Sequence, residues 1–492
     1  MRAAPSPASR DGAAGDAGRT GLTVLLLAAL ACSACVRAPA REAPPAGLPE
    51  LWVDAFAHEA GDGGVGSALR AVPHLQQPAR VHLRSGLYAG PFEFPPGTQL
   101  EGHGVAVLHV EGAGTVVTAR GALDLRRLTV QGGTVGLLAM GPVRLREVKF
   151  SGHRATAVQA FDAGVTAEQL ELSSRLDGVV GVEAINAELR LEGVTLTGPM
   201  SHGVRAADSS VRIAKLVSEG PTIAVQVLRG SLEADDLRAA GGQGAAVLLT
   251  KAKGTLAKLD VTGHEYGLLC GGAQVTVREL SSRGAAAAGV SFFDSTVTMA
   301  NVRVERAGPL GGVQLLSSTS TVGPLSVSAS RGTGVLVRKG RATFGAVTIE
   351  GIEGERGRDG TTLSGDALEI RDAEVDVVEL KARDLDGAGV YASNYGVLRA
   401  GTLEVERAGV GAVVVERRST VTADRVISRG SRGPSLAAPE DGVLLVKSLT
   451  AQGGDVAVWA DCDSGSRVTV QSVTDGTTLP ALRCLAGPAL RP

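Results

Sequence analysis

The sequence predicts an all-β chain folded as a parallel β-solenoid of about 15 or 16 coils. Three observations predict it. A short pattern (Gly or Ala, then Val or Leu, then any residue, then an apolar one) recurs from Gly136 to Gly442, with most steps about 21 to 24 residues. Between its occurrences runs a second alternating stretch, such as Val143-Arg144-Leu145-Arg146 or Leu189-Arg190-Leu191. Gly, at 67 of 492 residues, is abundant without a Gly-X-Y period, and aromatics are only 3%, as suits a repetitive chain with many tight turns. One unit cannot bury its inward Val, Leu and Ile alone, whereas stacked units make a continuous apolar column. A leucine-rich repeat would show fixed Leu and Asn positions, and a propeller blade needs about 40 to 45 residues. Helix pairs would show a 3.6 period. At roughly 4.8 Å per coil the body would be on the order of 75 Å long.

In chain order, residues 1–31 read as a signal peptide. Arg2, Arg10 and Arg19 precede the ten-residue apolar run Leu22 to Ala31, which is too short to span a bilayer. The run meets Ala29-Leu30-Ala31-Cys32 and then Ser33-Ala34-Cys35, which resembles the bacterial lipobox. That resemblance implies lipidation of Cys32, or alternatively Cys35, and a membrane partner through the lipid. By the sorting rule of that family, Ser33 or Val36 after the lipidated Cys implies the outer membrane or cell surface; ordinary cleavage would leave a periplasmic or secreted protein. Residues 32–49, rich in Ala, Pro, Arg and Glu, suit a flexible tether. Of the remaining cysteines, Cys462 and Cys484 are expected to form a disulfide near the end, with Cys270 a buried thiol. No pair has metal-ligand spacing, so no metal is expected. The formal charge of −2 argues against a nucleic-acid partner.

Residues 50–97 read as a cap with first turns: Trp52-Val53-Asp54, the turn Gly61 to Gly64, a short helical stretch near Ser67 to Val72, Val81-His82-Leu83, and Phe94-Pro95-Pro96-Gly97-Thr98 leading to Leu100-Glu101-Gly102. This entrance resembles that of the pectin-lyase-like superfamily, the right-handed parallel β-helix proteins. It implies a right-handed helix over residues 98–485, followed by a tail at 486–492. The fold hosts lyases, hydrolases, adhesins and inert scaffolds, so function has to come from a site.

No catalytic residues are assigned. Hydrolases of that superfamily combine three Asp, Gly-His-Gly and Arg-Ile-Lys on one face. Here Asp235-Asp236 and Gly263-His264-Glu265 are the nearest approach, but His153 follows Gly152 at the same place in its own repeat, so these are expected to be solvated turn residues. Arg212-Ile213-Ala214-Lys215 is not Arg-Ile-Lys, and Gly102-His103-Gly104 lies in the first turns. A lyase would need acidic residues from neighbouring coils for Ca²⁺. The outward positions, two after each landmark, run from Leu138, Gln159, Glu183 and Arg205 to Glu369, Tyr391, Val413 and Leu444, with no acidic cluster; Glu183 beside Arg205 reads as a cross-strand pair. No cofactor is expected. Trp52 and Trp459 are assigned to end packing.

Two further features carry expectations. The position two further on (Met140, Phe161, Ile185, Phe293, Val415 and others) is expected to turn inward at the strand end, the alternative being an exposed apolar strip. Long steps at Gly354 to Gly365 and Arg429 to Asp441 read as insertions on one face. Their Arg356, Arg358, Arg429 and Arg432 suit a carboxylate or phosphate. Together these readings predict a cell-envelope lipoprotein serving as a rigid binding or structural scaffold, with an envelope protein or glycan as partner. The alternative is a carbohydrate-active lyase or hydrolase on the same fold.

Overall fold

The computed structural model describes residues 47–55, 76–354, 364–453, 456–473 and, as backbone, 483–484. Cys32, Cys35, the tether to residue 46, the stretch Ser67 to Val72, Arg356, Arg358, the Cys484 side chain and the tail lie outside the described residues.

The alternating sequence runs form strands, and every strand pairing among the described residues is parallel. The result is an all-β, right-handed parallel β-solenoid of about 17 turns, slightly more than the repeat predicts. The additional turns come from the entrance, where Glu50–Val53, Arg80–Leu83 and Thr98–Gly102 stack without the landmark pattern. Each lap contributes to two sheets. The landmark pattern forms the narrow sheet, in strands such as Thr156–Phe161 and Val180–Ile185. The second run forms the wide sheet, in strands such as Gly164–Ser173 and Ser231–Ala240. Side chains alternate across each strand, so Leu137, Val158, Val182 and Val204 fill one column between the sheets, each essentially inaccessible. Burying such a side chain stabilises by about 1.5–3 kcal/mol, and the column runs unbroken from Val53 to Ala460.

The landmark glycines are required by space. A Cβ on Gly289 would stand 2.3 Å from Val304 Cγ1 and 2.6 Å from the Gly312 carbonyl oxygen. Gly203, Gly312 and Gly389 are crowded in the same way, by a wide-sheet side chain and the carbonyl of the next lap. At this point each strand enters closest to the core, and most laps carry Gly or a fully buried Ala such as Ala224 or Ala246.

Corners use another device. The residue leaving most narrow strands adopts a left-handed conformation, as at Asp162 (φ 50°), Asn186 (φ 52°) and Asp208 (φ 51°), residue types that tolerate it best after glycine. Several corners then bury a serine. Ser209 Oγ donates to Ala207 O at 2.7 Å and accepts from Ala187 N of the previous lap at 3.0 Å. Ser295 does the same with Phe293 O and Ala273 N, and Ser318 with Leu316 O and Ser295 N. These hydroxyls satisfy lap-to-lap backbone groups that would otherwise be buried unpaired.

The register corrects the sequence reading near the end. Gly411 pairs with Ala388 and Val413 with Val390, so the landmark of that lap is Ala412 and its outward residue is Val414, not Val413. The next narrow strand is Leu436–Glu440, and Gly442 only precedes the wide strand Val443–Gln452. Residues 429–441 are therefore a regular turn and strand with a register shift between Val414 and Glu416, not an insertion. Leu444 and Val446 point into the core. Ser435, buried where Gly or Ala stands elsewhere, disguised this lap.

Candidate functional site

The outer face of the wide sheet is covered by complementary charges. Lys149 meets Glu171 at 2.7 Å, Arg283 meets Asp260 at 3.0 Å and Lys447 meets Asp424 at 2.6 Å. Lys215, Asp236, Lys258 and Glu279 alternate in sign across four laps. Exposed pairs of this kind contribute about 0–1 kcal/mol each. Asp235 and Asp236 belong to this face, inside strand Ser231–Ala240 instead of a turn, and Asp236 is held by Arg238 at 3.2 Å. His153 and His264 are turn residues but not solvated ones. Their rings lie against Gly136 and Gly242, where a Cβ would come within 2.7 and 2.2 Å, and burial holds both imidazoles below their ordinary range. Neither can reach a substrate.

Arg429 ends the wide strand Thr420–Arg429 and is paired with Glu404 and, at 3.0 Å, with Glu406. It does not stand on a projecting loop, and Arg432 sits in the short turn that follows, where its amide donates to Ala408 O.

The narrow sheet presents a different outer surface. Leu138, Leu248, Leu269 and Leu336 face outward, partly exposed. The next outward column also stays outside, with Met140, Ile185 and Phe293 each more than a third exposed, so the expected inward turn is corrected there; Val415 is fully buried, because its lap is read from Ala412 and it lies one residue off this column. Its members stack in register: Phe161, Ile185, Ala207 and Leu228 follow one another on successive laps.

Toward the carboxyl end this surface becomes a concentrated patch. The outward column runs Glu369, Tyr391, Val414, Ala437, Trp459. Tyr391, Val414, Ala437 and Trp459 pack with Ala388 and Val410 into an apolar cluster outside the core. Acidic groups border it. Glu369, buried, accepts from Thr333 Oγ1 at 3.0 Å and pairs with Arg371. Tyr391 OH donates to Glu416, which also lies 3.4 Å from Arg417. Asp366 Oδ1 accepts from Ala388 N at 2.6 Å. Burial of this carboxyl, with the Glu369 charge nearby, pushes its pKa up to about 7. Asp386 accepts from Gly354 N at 3.0 Å, so the chain leading into the remaining inserted segment is fastened beside this patch. The patch holds paired carboxylates, a phenol and an indole: groups that grip hydroxyls and stack on sugar rings, with one carboxyl able to hold a proton near neutrality. Sequence reasoning had Glu369 and Tyr391 on the outward face. It missed Asp366, three residues before Glu369 in a turn, and the Asp366–Glu369 proximity supplies an acidic grouping that the column alone did not reveal.

At the other end, Trp52, His82 and Glu101 stack on successive laps of the wide sheet, and His103 follows Glu101 on the same face. His82 Nδ1 and His103 Nε2 lie 2.9 Å apart, and Glu101 Oε2 is 3.7 Å from His82 Nδ1. Trp52 stacks on His82 at 4.5 Å and lies 4.9 Å from His103, so its ring packs on two imidazoles and remains 46% exposed. The signal was present as two outward positions one lap apart, but no landmark pattern marks these first laps. No known protein-family profile and no curated protein matches the chain.

Proposed function

We propose that this chain is a cell-envelope lipoprotein whose solenoid is a rigid scaffold that binds an envelope glycan on the narrow sheet near its carboxyl end. The observation that carries the reading is the column Tyr391–Val414–Ala437–Trp459 edged by Glu369, Asp366 and Glu416. Two aromatic rings three laps apart, about 14 Å along the axis, suit stacking on a short stretch of sugar chain. Carboxylates at the rim would hydrogen-bond its hydroxyls. The apolar run before Cys32 and Cys35 supports the lipid anchor, and the pairing of Ala460 with Cys484 supports a Cys462–Cys484 bridge closing the far end.

Titration of the purified protein against envelope polysaccharide fragments tests the binding. Trp459→Ala and Tyr391→Ala are expected to weaken it about tenfold or more each, consistent with loss of ring stacking. Unchanged binding in both would sink the glycan assignment. Metabolic labelling with an alkyne fatty acid tests the anchor: label should enter the intact chain and vanish in the Cys32→Ala/Cys35→Ala double variant.

A second reading is favoured by one observation, the carboxyl of Asp366, which lies near that of Glu369 and is raised by burial to a pKa of about 7. A carboxyl whose pKa burial raises toward neutrality, with a second carboxyl nearby, has the composition that an acid–base pair in glycan cleavage needs. Appearance of new reducing ends from a polysaccharide with the wild-type protein, absent with Asp366→Asn, would establish it; binding without cleavage leaves the scaffold.

A further inference from the structure

We propose that His82, Glu101 and His103 form a binding site for a borderline divalent metal ion such as Zn²⁺, at the amino-terminal end of the wide sheet and independent of the glycan patch. The three ligand atoms lie within 4.8 Å of one another. Two imidazoles and one carboxylate are a donor set that suits Zn²⁺ and its neighbours, with a fourth position left for water.

The geometry is close to what a metal requires. His82 Nδ1 and His103 Nε2 face each other at 2.9 Å, so in the metal-free protein one ring donates a proton to the other. Ligands at about 2.0–2.1 Å from a tetrahedral ion sit roughly 3.3 Å apart, so the ion replaces the shared proton after a small rotation of one ring. The ring that gives up this proton takes one at its other nitrogen, so both ligands stay neutral imidazoles and no net proton is lost. Glu101 is already oriented: its Oε1 pairs with Arg127, leaving Oε2 turned toward His82. An outer partner that fixes a ligating carboxylate is a recurrent feature of built metal sites. Trp52, stacked on His82 and tilted over His103, restricts both rings to the required orientation.

Ordinary packing would also stack an indole on two histidines, so the test must read metal directly. The full chain, without any affinity tag and stripped with chelator, is loaded with Zn²⁺, passed over gel filtration and analysed for metal by mass spectrometry. One equivalent is expected to remain on the wild type and none on His103→Asn. Glu101→Gln should bind about tenfold or more weakly, since a charged ligand becomes neutral. The indole supplies a second readout. In a Trp459→Phe background, which leaves Trp52 as the remaining indole of the two in the chain, Cu²⁺ should quench the emission saturably, and His103→Asn should abolish the saturable phase. His103 and Glu101 are only partly buried, so these variants should keep the wild-type circular dichroism and melting curve even if substitution of buried His82 does not. The proposal is overturned if wild type retains no more Zn²⁺ than His103→Asn, or if quenching is the same in both.

Discussion

Replacing Gly289 by valine is expected to destabilise the solenoid by about 3 kcal/mol or more and to expose the laps around it to protease. The new Cβ would have to occupy space 2.3 Å from Val304 Cγ1 and 2.6 Å from the Gly312 carbonyl. The first contact is with a core side chain that has no free volume, because Val304 is fully buried. The second is with the backbone of the following lap, so relief would mean separating two strands of the narrow sheet. Each lap leans only on its neighbours, so damage should stay local: cleavage should concentrate between roughly the laps of Gly267 and Gly334 before the ends are affected. Gly271 is the control. Nothing lies within 4 Å of its prospective Cβ and its φ is not in the left-handed region, so Gly271→Ala should change stability by less than about 0.5 kcal/mol. Equal losses in the two variants, measured by denaturant unfolding, would contradict the steric account of the repeat.

Replacing Asp366 by asparagine is expected to stabilise the protein at pH 8 and to leave it nearly unchanged at pH 4. The carboxyl binds its proton up to about pH 7 in the folded chain against an ordinary value of 3.8, burial being the largest cause. Between those values the folded state holds more protons than the unfolded state, so stability falls as pH rises through that window. The full difference corresponds to at most about 4 kcal/mol, and partial access of water to this residue makes the expected gain smaller. Asparagine is never charged, and its Oδ1 can still accept from Ala388 N. The buried imidazoles of His153 and His264 act in the opposite direction. Held below their ordinary range by burial, they support the fold above about pH 6.5 and weaken it as pH falls through their lowered values. Thermal melts of wild type and Asp366→Asn from pH 4 to 8 check this. A constant difference between the two across the range would contradict it.

The fold was legible because its two signals are local. Alternation within a run decides which residues point inward, and the steric limit at each lap entrance leaves a Gly or Ala at nearly constant spacing. Leu137 inside and Leu138 outside follow from position alone. Where a local signal failed, a long-range contact had replaced it. Ser435 stands at a lap entrance without looking like one, and the reading shifted to Gly442, turning an ordinary lap into an apparent insertion around Arg429 and Arg432. Outward position also does not imply exposure. Gln314 and Glu369 face outward yet are buried, because the preceding turns fold over them: Gln314 Nε2 donates to Leu310 O, and Thr333 donates to Glu369. The Asp366 and Glu369 grouping depends on that folding-over. The His82, Glu101 and His103 set depends on the register of the entrance laps. The three-residue step from Asp366 to Glu369 does not by itself reveal the first, and no short spacing joins His82 to the second.

The central claim is that successive laps stack in sequence order at one strand spacing per lap, and distances along the outward column of the narrow sheet test it most directly. Spin labels on an incorporated ketone-bearing residue at Arg205 and Leu336, six laps apart in the register, should lie about 29 Å from each other. The pair Gln159 and Leu336, eight laps apart, should give about 38 Å. Distances measured by electron–electron resonance that grow by roughly 4.8 Å per lap are the predicted result. Separations that do not increase with lap number, or that differ between pairs of equal lap spacing, would contradict the stacked solenoid.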